Sequence, residues 1–273
     1  MSELLVRTIV AVGLIALLVV IVWLGGWFQV GALTLISVLA VIEMGRMFKH
    51  RDVSLCLPPL FIISAAQYSL LFLNEGYGIG NYIPMLYIVC FMWIMIDRIV
   101  NKARTTEGTV ATVFTAVYPL SLLLCFGLMG FGRTDASRAA LLLVFAAPCM
   151  ADNNAYLFGR KFGKHKLCPA ISPNKTVEGY VAGLVGGPVG GLLVYFLQRL
   201  WGLDIHWGWF IGLGLLGGFI GQFGDLFAST FKRWSGVKDF GTLLPGHGGV
   251  VDRLDSAMMF APIVAAVFGY FVK

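Results

Sequence analysis

The sequence predicts an all-α, polytopic integral membrane protein with about nine transmembrane helices and a cytoplasmic N-terminus. Three observations carry that expectation. Apolar runs of about 20 residues, enough for a helix to cross a bilayer, recur along all 273 positions. Hydrophobic residues make up 58% of the chain and charged residues only 12%, and the mean hydropathy is +0.84. Basic residues gather on alternate connections between the runs. The runs are continuous rather than alternating, which argues against a β-barrel.

The spans are expected at roughly 7–25, 28–48, 54–73, 79–99, 109–131, 138–158, 177–197, 207–228 and 251–272, with edges uncertain by a few residues. The first, inside MSELLVRTIVAVGLIALLVVIVWLGGW, is too long for the apolar part of a signal peptide, and no small-residue cleavage site follows it. Spans seven and eight are rich in glycine. Gly179, Gly183, Gly187 and Gly191 recur every four residues, and Gly214/Gly218 and Gly217/Gly221 repeat that spacing. Small residues at this period let helix backbones approach closely in lipid.

Nine spans put the termini on opposite sides. Of the 20 Lys and Arg residues, sixteen fall on the side of Arg7 and of the loops near 50, 100, 165 and 238. Only Arg133, Arg138, Arg199 and Lys273 fall on the other. The richer side is cytoplasmic by the positive-inside rule. Topology thus accounts for the net charge of +6 without a nucleic-acid partner. The five cysteines are scattered with no C-x-x-C pair, so neither a disulfide framework nor a zinc site is expected. Chemistry-bearing residues divide the chain into five N-terminal spans over 1–135 and a catalytic region of four spans with cytoplasmic loops over 136–273.

Three stretches carry that chemistry. CMADNNAYLFGRKFGKHKL places Asp152 about two turns inside the cytoplasmic end of span six, and an intramembrane carboxylate is a functional-site candidate by default. The basic run Arg160–Lys166 that follows serves either anionic lipid or a phosphate. In AISPNKTVEGYVAG, Ser172 and Pro173 are expected to form a turn, and Asn174 or Thr176 caps span seven. The N–H groups at that helix start suit a phosphate, and Lys175 adds a full charge beside them.

The third stretch is GQFGDLFASTFKRWSGVKDFGTLLPGHGGVVDRLDS, from Gly221 to Ser256. Asp225 closes span eight and Asp252 opens span nine, so adjacent antiparallel helices would bring the carboxylates together. Asp252, Asp255 and Ser256 share a helical face. Facing carboxylates repel unless a cation neutralises them, and all-oxygen ligands select Mg²⁺ over zinc. Lys232, Arg233, Lys238 and Arg253 interleave with the acids, a mixture suited to a polyphosphate. Gly248 and Gly249, after His247, let backbone approach a ligand.

These residues resemble the signature of the phosphatidate cytidylyltransferases, also called CDP-diacylglycerol synthases. The matching positions are Ser229, Lys232-Arg233, Lys238-Asp239, Gly241, Leu244-Pro245, His247-Gly248-Gly249, Asp252-Arg253 and Asp255. Upstream, Asp152, Ala155-Tyr156, Gly159-Arg160, Phe162-Gly163, Ser172-Pro173, Lys175-Thr176 and Glu178-Gly179 fit the same family. The motif similarity covers 150–256, and the N-terminal spans fit by hydropathy and count alone.

The resemblance implies a Mg²⁺-dependent enzyme of the cell membrane that turns CTP and phosphatidate into CDP-diacylglycerol and pyrophosphate at the cytoplasmic face. It also implies a homodimer, and leaves the identity of any second cation open. Asp225, Asp252, Lys232 and Arg253 are then the catalytic candidates, with Asp225 and Asp252 as the metal ligands. Asp152, Ser172, Lys175, Thr176, Arg233, Lys238, Asp239, His247, Gly248, Gly249 and Asp255 are the substrate-binding candidates.

Two other classes compete. A transporter also places polar groups inside helices, but its site lies near the midplane, whereas these charges gather at one face. Another CTP-dependent membrane phosphotransferase is the second. Enzymes acting on CDP-alcohols carry a D-G-x-x-A-R type run, absent here, and a polyprenol kinase would leave CDP rather than pyrophosphate.

Overall fold

The structure is a computed structural model that describes residues 3–77, 81–243 and 248–270. Each of the nine expected spans coincides with a helical segment. These are α1 (Glu3–Leu24), α2 (Gly26–Lys49), α3 (Leu57–Tyr77), α4 (Ile83–Val100), the pair α5 (Thr106–Thr115) and α6 (Leu122–Leu128), α7 (Asp135–Phe162), α8 (Val177–Leu200), α9 (Trp207–Ser235) and α10 (Val251–Tyr270). Among the described residues, seven segments, α2 to α9 with α5–α6 taken together, are long and apolar enough to cross a membrane. The described apolar part of α1 is shorter, Val12–Leu24. Helix α10 carries Asp252, Arg253 and Asp255 in its first turns. Between α5 and α6 the chain widens over Ala116–Ser121, where Pro119 lacks an N–H and Tyr118 leaves helical geometry.

Two helices outrun the lipid-length expectation. Helix α7 continues to Phe162 and α9 to Ser235, past the ends expected at 158 and 228, and each stops at a glycine, Gly163 and Gly236. Gly236, with φ +78, adopts the left-handed conformation that ends a helix. Asp225 therefore does not close its helix, as expected from sequence, but lies nearly three turns inside it. The connection from α7 to α8 holds an antiparallel hairpin, β1 (Lys166–Cys168) with β2 (Ser172–Thr176), registered Lys166 to Thr176 and Cys168 to Ser172. Ser172 and Pro173 open β2 instead of forming the expected turn, which falls at 169–171. Proline fits there because every strand of a two-stranded ribbon is an edge.

The chain forms two compact units. One comprises 1–131 with 234–253, the other 132–233 with 254–273. In the first, α2 buries the stripe Val30, Leu33, Ser37, Ala40, Val41, Met44, Met47 and Phe48, spaced for one helical face. A polar contact joins it to α3, with Ser37 Oγ 2.9 Å from the buried Tyr68 hydroxyl.

In the second unit, α8 lies between α7 and α9 on two glycine faces. Gly179, Gly186 and Gly190 abut backbone carbonyls of Ala155, Met150 and Ala146 on α7. Gly183, Gly187 and Gly191 abut Gln222, Gly214 and Phe210 on α9. A Cβ at any of these positions would collide with its neighbour, so the close packing expected from the glycine period is realised. Helix α9 meets α10 in the same way. Gly217 faces Phe260, Gly221 faces Ser256 and Gly224 faces Met259 and the Asp255 carbonyl. The numbering falls along α10 as it rises along α9, so the two helices are antiparallel.

Candidate active site

In the second unit the polar side chains gather where α7, β2, α9 and α10 bring acids and bases into one region. Thr176, 8% exposed, caps α8: its hydroxyl accepts the Gly179 N–H. This resolves the choice between Asn174 and Thr176. Gly159, Gly163 and Gly179 crowd that hydroxyl, so α7, β2 and α8 are locked at one point. Glu178 adds a second lock, accepting the Lys164 and His165 N–H groups and pairing with His165 Nδ1 at 2.6 Å.

Lys175 stands one residue before the cap. Its Nζ lies 2.6 Å from Asp225 Oδ2 on α9. The ammonium is buried and, among the described residues, makes this ion pair but no aligned hydrogen bond, which leaves donors for a ligand. Asp225 Oδ1 accepts the Ser229 hydroxyl at 3.4 Å. Asp255 is 6% exposed on α10, and its charge interacts with those of Asp225, Asp152 and Lys232. Asp255 Oδ1 also accepts the Ser256 N–H at 2.7 Å. Lys232 is itself buried at 8%. Arg233 and Ser172 belong to the hairpin side: Arg233 Nε donates to the Ile171 carbonyl at 3.2 Å, next to Ser172. Asp152 is exposed on α7.

The first unit holds the other sequence candidates. Asp252 Oδ2 accepts the N–H groups of Phe240 at 2.8 Å and Gly249 at 2.9 Å. Gly248 has φ +79, and a Cβ there would lie 2.9 Å from that same oxygen and 3.3 Å from the Asp239 side chain. Glycine is thus required both by the backbone and by the space. Lys238, Asp239 and Arg253 are exposed. His247 and Leu244-Pro245 lie outside the described residues. Asp225 belongs to the second unit and Asp252 to the first.

One acidic residue escaped the sequence reading. Glu43 on α2 is 3% exposed and accepts the N–H groups of Val250 and Val251 at 2.8 and 2.9 Å. A carboxylate inside the apolar run GALTLISVLAVIEM was the signal that would have found it.

Among the described residues no three His, Cys, Asp or Glu side chains are grouped closely enough to hold one ion. Magnesium rarely needs such a cage. It is held by one or two carboxylates, with waters and substrate phosphates completing its shell. The donors are carboxylate oxygens set beside lysines, so their chemistry fits Mg²⁺ and not a thiolate- or imidazole-seeking metal.

Comparison with known proteins agrees with this chemistry. The profile described as "Cytidylyltransferase family" matches residues 5–271. A phosphatidate cytidylyltransferase of Staphylococcus haemolyticus is 32% identical over 262 residues, covering 95% of this chain and 96% of that protein. One from Staphylococcus aureus is 33% identical over 264 residues, with 95% and 96% covered. A third, from Staphylococcus saprophyticus, reaches 46% identity over 128 residues, 45% of this chain and 46% of that protein. A match that runs almost from end to end, over helices whose glycines and acids meet as described, leaves one assignment: the chain belongs to the cytidylyltransferase family.

Proposed function

We propose that this membrane protein transfers the cytidylyl group of CTP to phosphatidate, forming CDP-diacylglycerol and releasing pyrophosphate at the cytoplasmic boundary of the membrane. The observation that carries the reading beyond family membership is the buried Lys175 ammonium against Asp225, with Lys232 and Asp255 beside them. Charges of both signs held together at low exposure suit a ligand that brings many charges of its own. The division of basic residues supports the cytoplasmic placement, since their richer side includes the loops that hold these groups.

In the reaction a phosphate oxygen of the lipid attacks the α-phosphorus of CTP. The bond from that phosphorus to the β-phosphate oxygen breaks, and pyrophosphate leaves with the electron pair. The nucleophile is already anionic, so no strong general base is needed. The barrier is the meeting of like charges, which fixed cationic groups lower. Lys175 and Lys232 hold buried positive charge where the phosphates arrive, and Arg253 and Lys238 add exposed charge. Asp225 keeps the Lys175 ammonium in place until a phosphate competes for it. Asp152, Ser172, Arg233 and Asp239 are proposed to orient the substrates, and Gly248 and Gly249, which carry no side chain, to admit the nucleotide phosphates; His247, a further candidate, lies outside the described residues. Asp225 and Asp252 are the proposed Mg²⁺ ligands. When bound, the ion screens the approaching phosphates and stabilises the leaving pyrophosphate. The substrate-handling side chains come from 136–273, and the family resemblance supports a homodimer as the working assembly.

The test is incubation of pure protein in lipid nanodiscs with phosphatidate, α-labelled CTP and Mg²⁺. Labelled CDP-diacylglycerol and one pyrophosphate per lipid are expected. Release of CDP with a phosphorylated lipid would reassign the protein to the kinases, and unconsumed CTP would return the transporter reading.

A further inference from the structure

The C-terminal part of α2 and the turn after it, in the half of the chain without sequence motifs, reach both ends of the segment 234–251. At the start, the Arg51 Nε donates to the Trp234 carbonyl at 2.6 Å and its guanidinium lies 5.7 Å from the Trp234 ring centroid. Phe48 adds an edge contact to the same ring at 5.8 Å. At the far end stands Glu43. Its two carboxylate oxygens take the N–H groups of Val250 and Val251, one each. Val250 immediately precedes α10 and Val251 opens it, where backbone donors have no helical acceptor. The carboxylate is therefore an N-terminal cap supplied from 207 residues away.

Two glycines show that this contact is built in on both sides. A Cβ on Gly241 would lie 2.6 Å from Glu43 Oε1, and one on Gly249 would lie 2.5 Å from both oxygens. The carboxylate is sandwiched between the two glycine backbones, and the Gly249 N–H in turn goes to Asp252. Glu43 and Asp252 thus grip successive residues of one chain segment: Asp252 holds Phe240 and Gly249, Glu43 holds Val250 and Val251.

We propose that Glu43 is a positioning residue of the transfer site, fixing Phe240–Gly241 and Gly248–Val251 so that Lys238, Asp239 and Asp252 are presented in one orientation. The inference rests on the cytidylyl-transfer reading for its catalytic meaning, but its geometric part can be read without activity. A general helix-packing residue would need neither the two backbone donors nor the two bare glycines.

The experiment compares Glu43→Gln, Gly241→Ala and the double variant in nanodiscs, by steady-state kinetics and by hydrogen–deuterium exchange. Gln keeps the shape but offers one oxygen for two donors. It should lower kcat with CTP by about tenfold, the usual scale of one lost charge-assisted hydrogen bond, and speed exchange over 236–251 while α3 and α8 exchange as in wild type. Gly241→Ala should act in the same direction by pressing on the carboxylate. The double variant should lose little more than the worse single, because both disturb one contact. Wild-type exchange over 236–251 in Glu43→Gln would overturn the proposal. So would acceleration spread evenly over all helices, local acceleration with unchanged kcat, or losses that multiply. Wild-type protein that makes no CDP-diacylglycerol would sink the transfer reading instead, and the exchange comparison would still decide the clamp.

Discussion

Lys175 and Asp225 meet through a hairpin: β2 returns the chain to α9 so that Nζ and Oδ2 stand 2.6 Å apart, with side chains 24% and 32% exposed. Neither residue is near the other in sequence, and Thr176, the neighbour of Lys175, caps the start of α8. Removing either partner leaves the other charge partly buried and uncompensated.

Lys175→Ala should reduce kcat/KM by on the order of tenfold or more, the scale of a charge-assisted phosphate contact. Folded yield in detergent is the control, measured by size-exclusion profile. An unchanged kcat/KM in well-folded protein would remove Lys175 from the site.

Asp225→Asn and Asp252→Asn each keep the shape and remove a negative charge. Asparagine at 252 retains an oxygen for the Phe240 and Gly249 N–H groups, so its effect reads charge rather than loop geometry. Each single variant should lose several orders of magnitude in turnover, and the double variant little more, as expected when two groups serve one ion. Titration with Mn²⁺, followed by paramagnetic signal, should show weakened ion binding in both. Near-wild-type turnover in either would end the two-carboxylate metal assignment.

Gly187→Val tests the close helix contact apart from catalysis. A Cβ at 187 meets the Gly214 carbonyl and lies 2.9 Å from the Gly218 nitrogen, so backbone rather than a flexible side chain must move. Overpacking typically costs about 1–3 kcal/mol, and a backbone clash belongs at the upper end. Thermal unfolding in detergent should fall by several degrees or the folded yield collapse. Gly212→Ala, with nothing within 4 Å of its Cβ, should behave as wild type.

Topology follows from charge. A single cysteine at Val237, in a background without the five native cysteines, should resist a membrane-impermeant thiol reagent in intact cells and react after permeabilisation. Labelling in intact cells at the rate of an external control would reverse the orientation.

Much of this was visible in the residues, and what was not has physical reasons. Among the described residues, each expected apolar run falls on a helical segment, and lipid tolerates little else across its core. The glycine period of α8 announces close packing, although it does not reveal that two faces are used, one for α7 and one for α9. Helix ends are harder: nothing in apolarity marks where α9 stops once it leaves the lipid, so Asp225 looked terminal. The hairpin escaped because its strands are short and polar, with no alternation to read. Glu43 escaped for a different reason. Its partners are backbone N–H groups, which every residue but proline owns and no motif records.

That cap has a consequence in time. The ribosome delivers Glu43 long before Val250, and at about 5–20 residues per second the 207 intervening residues take roughly ten to forty seconds. Throughout that interval the acid sits in a newly made helix with neither of its donors in existence. A chain interrupted after its first six helices would keep that vacancy permanently. The carboxylate that orders the finished segment would then be a polar group in an apolar helix without the donors that satisfy it.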